Sequence, residues 1–98
     1  MEKCCSVEEL EDFAHKLKVC GHPLRLQILL LIEREDACVS DLWKCLELPQ
    51  PVISQHLAVL KDRNIVESET DGNRRIYKII DPFVQKIIQG FEVDEMDN

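Results

Sequence analysis

Five cysteines are the residues of this chain best suited to chemistry: Cys4, Cys5, Cys20, Cys38 and Cys45. The count is odd, no C-x-x-C occurs, and the spacing is not that of a secreted disulfide framework. In a reducing compartment such thiols serve as ligands for soft ions or as redox groups, and a cytoplasmic location is expected. Cys4 and Cys5 stand side by side before the first helical pattern begins. Free cysteine normally behaves as a small buried hydrophobe, and a terminus is ordered only where something ties it down. The pair is therefore either idle or ordered by something it binds. An enzyme is not expected. A thiol oxidoreductase needs a nucleophile and a resolving thiol poised together, and no Gly-rich phosphate loop or Ser-His-Asp arrangement is in view.

A second set of residues suits nucleic acid. In PVISQHLAVLKD, Ile53, Leu57 and Leu60 recur at i, i+4 and i+7 and define a buried stripe. Ser54, Gln55, Ala58 and Lys61 then face outward, and Gln50 sits at the N-terminal tip. Short hydrogen-bonding side chains beside a small alanine suit close approach to base edges in a major groove. Arg74 and Arg75 follow the turn Asp71-Gly72-Asn73, where a wing tip would grip a phosphate backbone. A solvated polar helix face and a surface arginine pair would look the same one at a time, so the weight lies in their combination. His56, at the edge of the apolar stripe, reads as a packed histidine and not as a base reader.

These residues need elements to hold them. Ser6 caps a first helix whose early glutamates suit its positive end. Val7, Leu10, Ala14 and Leu17 carry it to a stop at Gly21. His22-Pro23 opens a second helix, and LRLQILLLI, apolar on nearly every side, makes it the central one. Asp36 to Val39 is a connector. Ser40 can cap a short third helix, SDLWKCLEL, which Pro49 ends. The helix from near Pro51 follows, and NIVESETDGNRRIYKII then changes period to two strands flanking Asp71-Gly72. After Asp81-Pro82 a last helix carries Phe83, Val84, Ile87, Ile88 and Phe91 on one side. The order predicts a mainly α fold with a β-hairpin wing, a winged helix-turn-helix with an extra helix at each end. It forms one domain over 1–98, with 1–5 as a mobile arm and 92–98 as an acidic tail. The two outer helices carry more apolar surface than one small core can use, which predicts a homodimer.

Composition sets bounds on this reading. The chain has 98 residues, 45% apolar and 32% charged, which is globular and not disordered. A chain this short buries only about two thirds of its extended surface, so a partner subunit would add to a marginal core. The formal net charge of −7 argues at first sight against nucleic acid. Binding depends on where charge sits, however, and EVDEMDN concentrates acid at the far end. No apolar leader core follows Met1, and ILLLI is too short to span a bilayer.

GHPLRLQILLLI, CVSDLWKCLELPQPVISQHLAVLKDRNIVES and GNRRIYKI together resemble the ArsR/SmtB family of metal- and thiol-responsive repressors, over roughly Val7 to Phe91. The resemblance implies a homodimer on an imperfect inverted repeat of double-stranded operator DNA, released when an inducer binds. It implies that Gln50, Ser54 and Gln55 read DNA and that Arg74 and Arg75 contact its backbone. Where members usually have Ser before the recognition helix, this chain has Pro49, which loses a side-chain cap worth about 1 kcal/mol.

The family's sensing sites are narrowed by the residues present. Zinc-type sites on the last helix need histidines, and His15, His22 and His56 all lie earlier; Asp81 and Glu92 alone would make a poor site. DACVSDL resembles the ELCVCDL box, keeping its first cysteine as Cys38, with Ser40 in place of the second. In arsenic-sensing members an N-terminal Cys-Cys pair joins one cysteine before the third helix. The resemblance thus implies a three-thiolate site of Cys4, Cys5 and Cys38 for As(III), or alternatively Sb(III), Cd(II) or Pb(II). A helix N-terminus tends to lower the Cys38 thiol pKa. Cys20 and Cys45 read as packed thiols. Two alternatives stay open: a thiol-based redox or sulfide-responsive repressor of the same family, and a winged-helix module that binds protein.

Overall fold

The structure is a computed structural model that describes residues 6–35, 42, 44 and 46–96. Helix α1, Val7–Cys20, starts in a capping box. The Ser6 hydroxyl accepts from the Glu9 N–H at 3.1 Å, and the Glu9 carboxylate accepts from the Ser6 N–H at 2.9 Å. Gly21 ends the helix without left-handed backbone, since its φ is −79°. The reason for a glycine there is space: a Cβ would stand 3.0 Å from the Leu17 carbonyl. The ring of His22 then caps α2, Pro23–Glu35, by accepting from the Leu24 N–H at 3.1 Å. Ile28, Leu29 and Ile32 of α2 are fully buried, which makes it the centre of the core.

Leu42, Lys44 and Leu46 are helical, as expected of a third helix, and Leu42 is fully buried. Cys38, Ser40 and Cys45 lie outside the described residues, as do Cys4 and Cys5. Glu47, with a φ of 56°, turns the chain toward Pro49 and helix α3, Gln50–Asp62. Pro49 supplies no side-chain cap; its carbonyl accepts from the Val52 and Ile53 N–H groups instead. Asn64, at a φ of 60°, ends α3 and feeds the hairpin.

Strands β1, Val66–Asp71, and β2, Arg74–Ile79, pair antiparallel from Val66↔Ile79 to Asp71↔Arg74. The connecting loop is therefore Gly72-Asn73, one residue later than Asp71-Gly72. Gly72 has a φ of 66° and Asn73 is not left-handed, the pattern of a turn that wants glycine first. Val66, Tyr77 and Ile79 anchor the hairpin in the core. Helix α4, Pro82–Met96, begins at Asp81, whose carboxylate accepts from the Val84 N–H at 3.0 Å. It runs through the start of the stretch read as an acidic tail. Val84 and Ile88 bury one side of α4, and Phe83 stacks on Phe13 of α1 at 4.5 Å. No described helix is long and apolar enough to cross a membrane.

Candidate nucleic-acid interface

The α3 stripe of Ile53, Leu57 and Leu60 is buried, leaving at most 2% of any of them exposed. That burial turns Gln50, Ser54, Gln55, Ala58 and Lys61 outward, and all five are exposed. Arg74 and Arg75 are exposed at the start of β2, immediately after the loop. The helix face and the hairpin are tied together, because Lys61 donates to the Ser68 hydroxyl of β1 at 3.3 Å. On the hairpin, Lys78 pairs with Glu69 at 3.1 Å, with both groups about half exposed.

Behind this face, polar tethers orient α3. Arg25 of α2 donates from Nε to His56 Nδ1 at 3.1 Å and from Nη1 to the Val19 carbonyl of α1 at 2.8 Å. His56 is thus a packed, satisfied histidine, as its position beside the stripe predicted. Burial first, then the charges of Arg25 and His22, push its pKa below the ordinary histidine value. At the far end of α3, Arg63 Nη1 lies 2.9 Å from His15 Nε2. Sequence reasoning passed over both pairs. Their partners lie 31 and 48 residues apart, so no local period joins them.

The thiols and carboxylates assemble differently from the DNA-facing residues. Cys20 is the one cysteine among the described residues, and it is buried. Burial, and next the Asp81 charge, push its thiol pKa up, with Arg25 opposing. That setting makes it a packed thiol and a poor nucleophile. Asp81 is engaged as a helix cap and as the partner of Lys16 at 2.6 Å. Burial alone would raise its pKa, but the Lys16 hydrogen bond and the Val84 N–H outweigh it and hold the carboxyl below its usual range. Among the described residues no cluster of three histidine, cysteine or acidic side chains could hold a metal ion. The candidate ligands Cys4, Cys5 and Cys38 lie outside the described residues.

Comparison with known proteins gives the family. Residues 22–68 match the family model described as bacterial regulatory protein, arsR family. An HTH-type transcriptional regulator of Methanocaldococcus jannaschii is 41% identical over 91 residues, spanning 92% of this chain and 100% of that protein. The arsenical resistance operon repressor of Staphylococcus xylosus is 32% identical, over 79% of this chain and 74% of that one. The chain belongs to the ArsR/SmtB family. It is a DNA-binding transcriptional repressor by family and not an enzyme. A solved structure described as the AntR antimony-specific transcriptional repressor superposes with a TM-score of 0.81. That protein is 26% identical, and the match covers 98% of this chain and 88% of that one. The winged helix-turn-helix expected from the order of elements is the fold observed.

Proposed function

We propose that this ArsR-family repressor binds an imperfect inverted repeat of operator DNA as a homodimer and leaves it when As(III) is bound by Cys4, Cys5 and Cys38. The observation that carries the DNA half is the division of α3 into a fully buried stripe and an outward face of Ser54, Gln55 and Ala58. Ser54 and Gln55 read base edges in the major groove, and Gln50 meets phosphate or base at the helix tip. Lys61, Arg74 and Arg75 contact the backbone, which supplies affinity without sequence preference.

The dimer is supported by apolar surface left exposed among the described residues. Val7 is 70% exposed, Leu10 54% and Leu17 50% on α1, and Phe91 41% on α4. Between these helices lies an apolar groove of about 160 Å³, lined by Leu17, Cys20, Leu26, Ile87 and Phe91 among others. A second copy seated there would bury this surface and set two recognition helices for two half-sites.

The ion is supported by chemistry and by likeness. Thiolates select thiophilic ions, and similar proteins are described as arsenical and antimony repressors. Sb(III), Cd(II) and Pb(II) are the competing inducers. A redox switch finds little support at Cys20, where burial and a raised thiol pKa oppose attack. The test is to titrate the protein bound to a fluorescent operator duplex with As(III), with each competing ion and with an oxidant. As(III) should release wild-type protein, whereas Cys4→Ser, Cys5→Ser and Cys38→Ser should stay bound, and Cys20→Ser should respond normally. Release that needs Cys20 but not Cys4 and Cys5 would replace the ion site with a thiol switch. Failure to bind any duplex would favour a protein-binding winged helix.

A further inference from the structure

We propose that the recognition helix is docked by two arginine–histidine hydrogen bonds that hold only while both imidazoles are neutral. Arg25 and Arg63 are then proton-sensitive positioning residues for DNA binding. The inference rests on the operator-binding reading above, and one of its tests is independent of DNA.

The two pairs share one chemistry. A guanidinium has donors and no acceptor, so each histidine must present a lone pair to its arginine. His56 accepts at Nδ1 from Arg25, which puts its ring proton on Nε2. His15 meets Arg63 at Nε2, which puts its proton on Nδ1. Adding a proton to either ring removes the acceptor and sets a cation against a cation. A carboxylate in the same place would tighten its hold on arginine instead.

The Arg25–His56 pair is part-buried and its surroundings offer little relief, whereas the Arg63–His15 pair is exposed. Among the described residues, the charged groups that bear on His56 are Arg25 from α2 and His22 from the turn before it, both basic. The His22 ring lies 4.8 Å from the His56 ring, and its own Nδ1 is already taken by the Leu24 N–H. Cys20 of α1 also lies within the field of Arg25, with Asp81 acting on it as well. Around His15, Asp12 is engaged by Lys16, which also holds Asp81. Glu11 and Lys18 lie one turn away on either side and are exposed.

Position matters because two half-sites demand a fixed spacing and tilt of the two recognition helices. α3 lacks a side-chain N-cap, so its orientation depends on its buried stripe and on these tethers. Each histidine that must be neutral for binding can cost at most about tenfold in affinity per pH unit. The electrostatic background runs the other way. Protonating carboxylates makes the net charge of −7 less negative and favours phosphate. Weaker binding in mild acid therefore requires a specific cause.

The test uses a labelled duplex that the full-length protein itself selects from a random pool at neutral pH. Dissociation constants are measured from about pH 7.5 to about pH 5 at fixed ionic strength. His56→Asn places an amide oxygen near the Nδ1 position, and His15→Gln places one near Nε2, so both variants keep an acceptor that does not titrate. Wild type should lose about tenfold or more in affinity across the range. The double variant should bind like wild type at the upper end and keep its affinity at the lower. An acid loss as steep in the double variant as in wild type overturns the proposal. Nitrogen-15 shifts of the imidazoles decide the pairs without DNA: protons on His56 Nδ1 or His15 Nε2 near neutrality also overturn it. If wild type binds no duplex at any pH, the operator reading fails, and the ring shifts still judge the pairs.

Discussion

The recognition helix and the last helix are both tethered to α1, but by different chemistry. Arg63 at the end of α3 meets His15, whereas Asp81 at the start of α4 meets Lys16. The apolar surfaces differ as well. The α3 stripe is completed within the protomer, while Leu10, Leu17 and Phe91 around α4 stay exposed. A helix meant to meet DNA must offer a polar outer face on a finished core. A helix meant to meet a second copy can leave its apolar side open. The contrast separates the face proposed to read DNA from the face proposed to meet a second copy.

The largest effect is expected where the assembly face is broken. Ile87→Lys in the groove and Leu10→Lys on the exposed stripe should each split the dimer, measured by sedimentation. Binding to a two-half-site duplex should fall to the level of non-specific DNA, about 10⁻⁴ to 10⁻⁶ M at physiological salt. Because Leu10 is 54% exposed, its substitution leaves the protomer core intact. A monomer of unaltered affinity would erase the distinction between the two faces.

Next comes the Lys16–Asp81 junction. Asp81→Asn removes a charged partner from Lys16 while keeping an oxygen that can cap α4, and should lower stability by about 1.5–3 kcal/mol in urea unfolding. The junctions also differ in acid. Asp81 has a depressed pKa, so its contribution is fully present above the ordinary aspartate value and is lost only as pH falls through the lower folded value. His56 is depressed too, so its contribution is present above the ordinary histidine range and disappears as pH falls below it. Residue-resolved amide exchange between about pH 7 and about pH 5 should therefore show α3 loosening while the start of α4 holds. Equal loosening of both would merge the two junctions into one.

Within the reading face, Gln55→Ala should relax discrimination at one base position by about 1–3 kcal/mol. Arg75→Ala should instead weaken all duplexes alike and reduce the salt slope by about one. Competition assays against point-mutated duplexes check both, and a wing substitution that changed sequence preference would invert the assignment. The smallest effect is expected at the half-exposed Lys78–Glu69 pair. Lys78→Ala should shift stability by no more than about 0.5 kcal/mol by thermal melting.

Much of the framework of helices and hairpin is legible in the chain, for local reasons. The Ser6–Glu9 capping box and the α3 stripe are relations three or four residues long, and the expected helix positions match the observed ones. The hairpin was legible from its alternation. Its loop was read one residue early, because alternation alone does not say whether Asp71 ends a strand, and the pairing Asp71↔Arg74 does. Gly21 was read as a helix stop, but the basis is the missing Cβ and not a left-handed φ. The tethers were not legible. In the sequence His15, His22 and His56 stand only as residues too early for a last-helix zinc site or as packing residues, and in the fold each is a hydrogen-bond acceptor. Asp81 was judged a poor zinc ligand, while its pairing with Lys16 depends on α1 packing across α4. Such contacts join distant residues without any sequence period to announce them.

Selection of duplexes from a random pool by the full-length protein, with the bound sequences read out, tests the two-face account most directly. The account predicts an inverted repeat with half-site centres about one helical turn or a multiple of it apart, bound by two protomers. With Gln55→Ala, preference should relax at the same base pair of both half-sites. Enrichment of a single half-site or a direct repeat, or no enrichment at all, would contradict it.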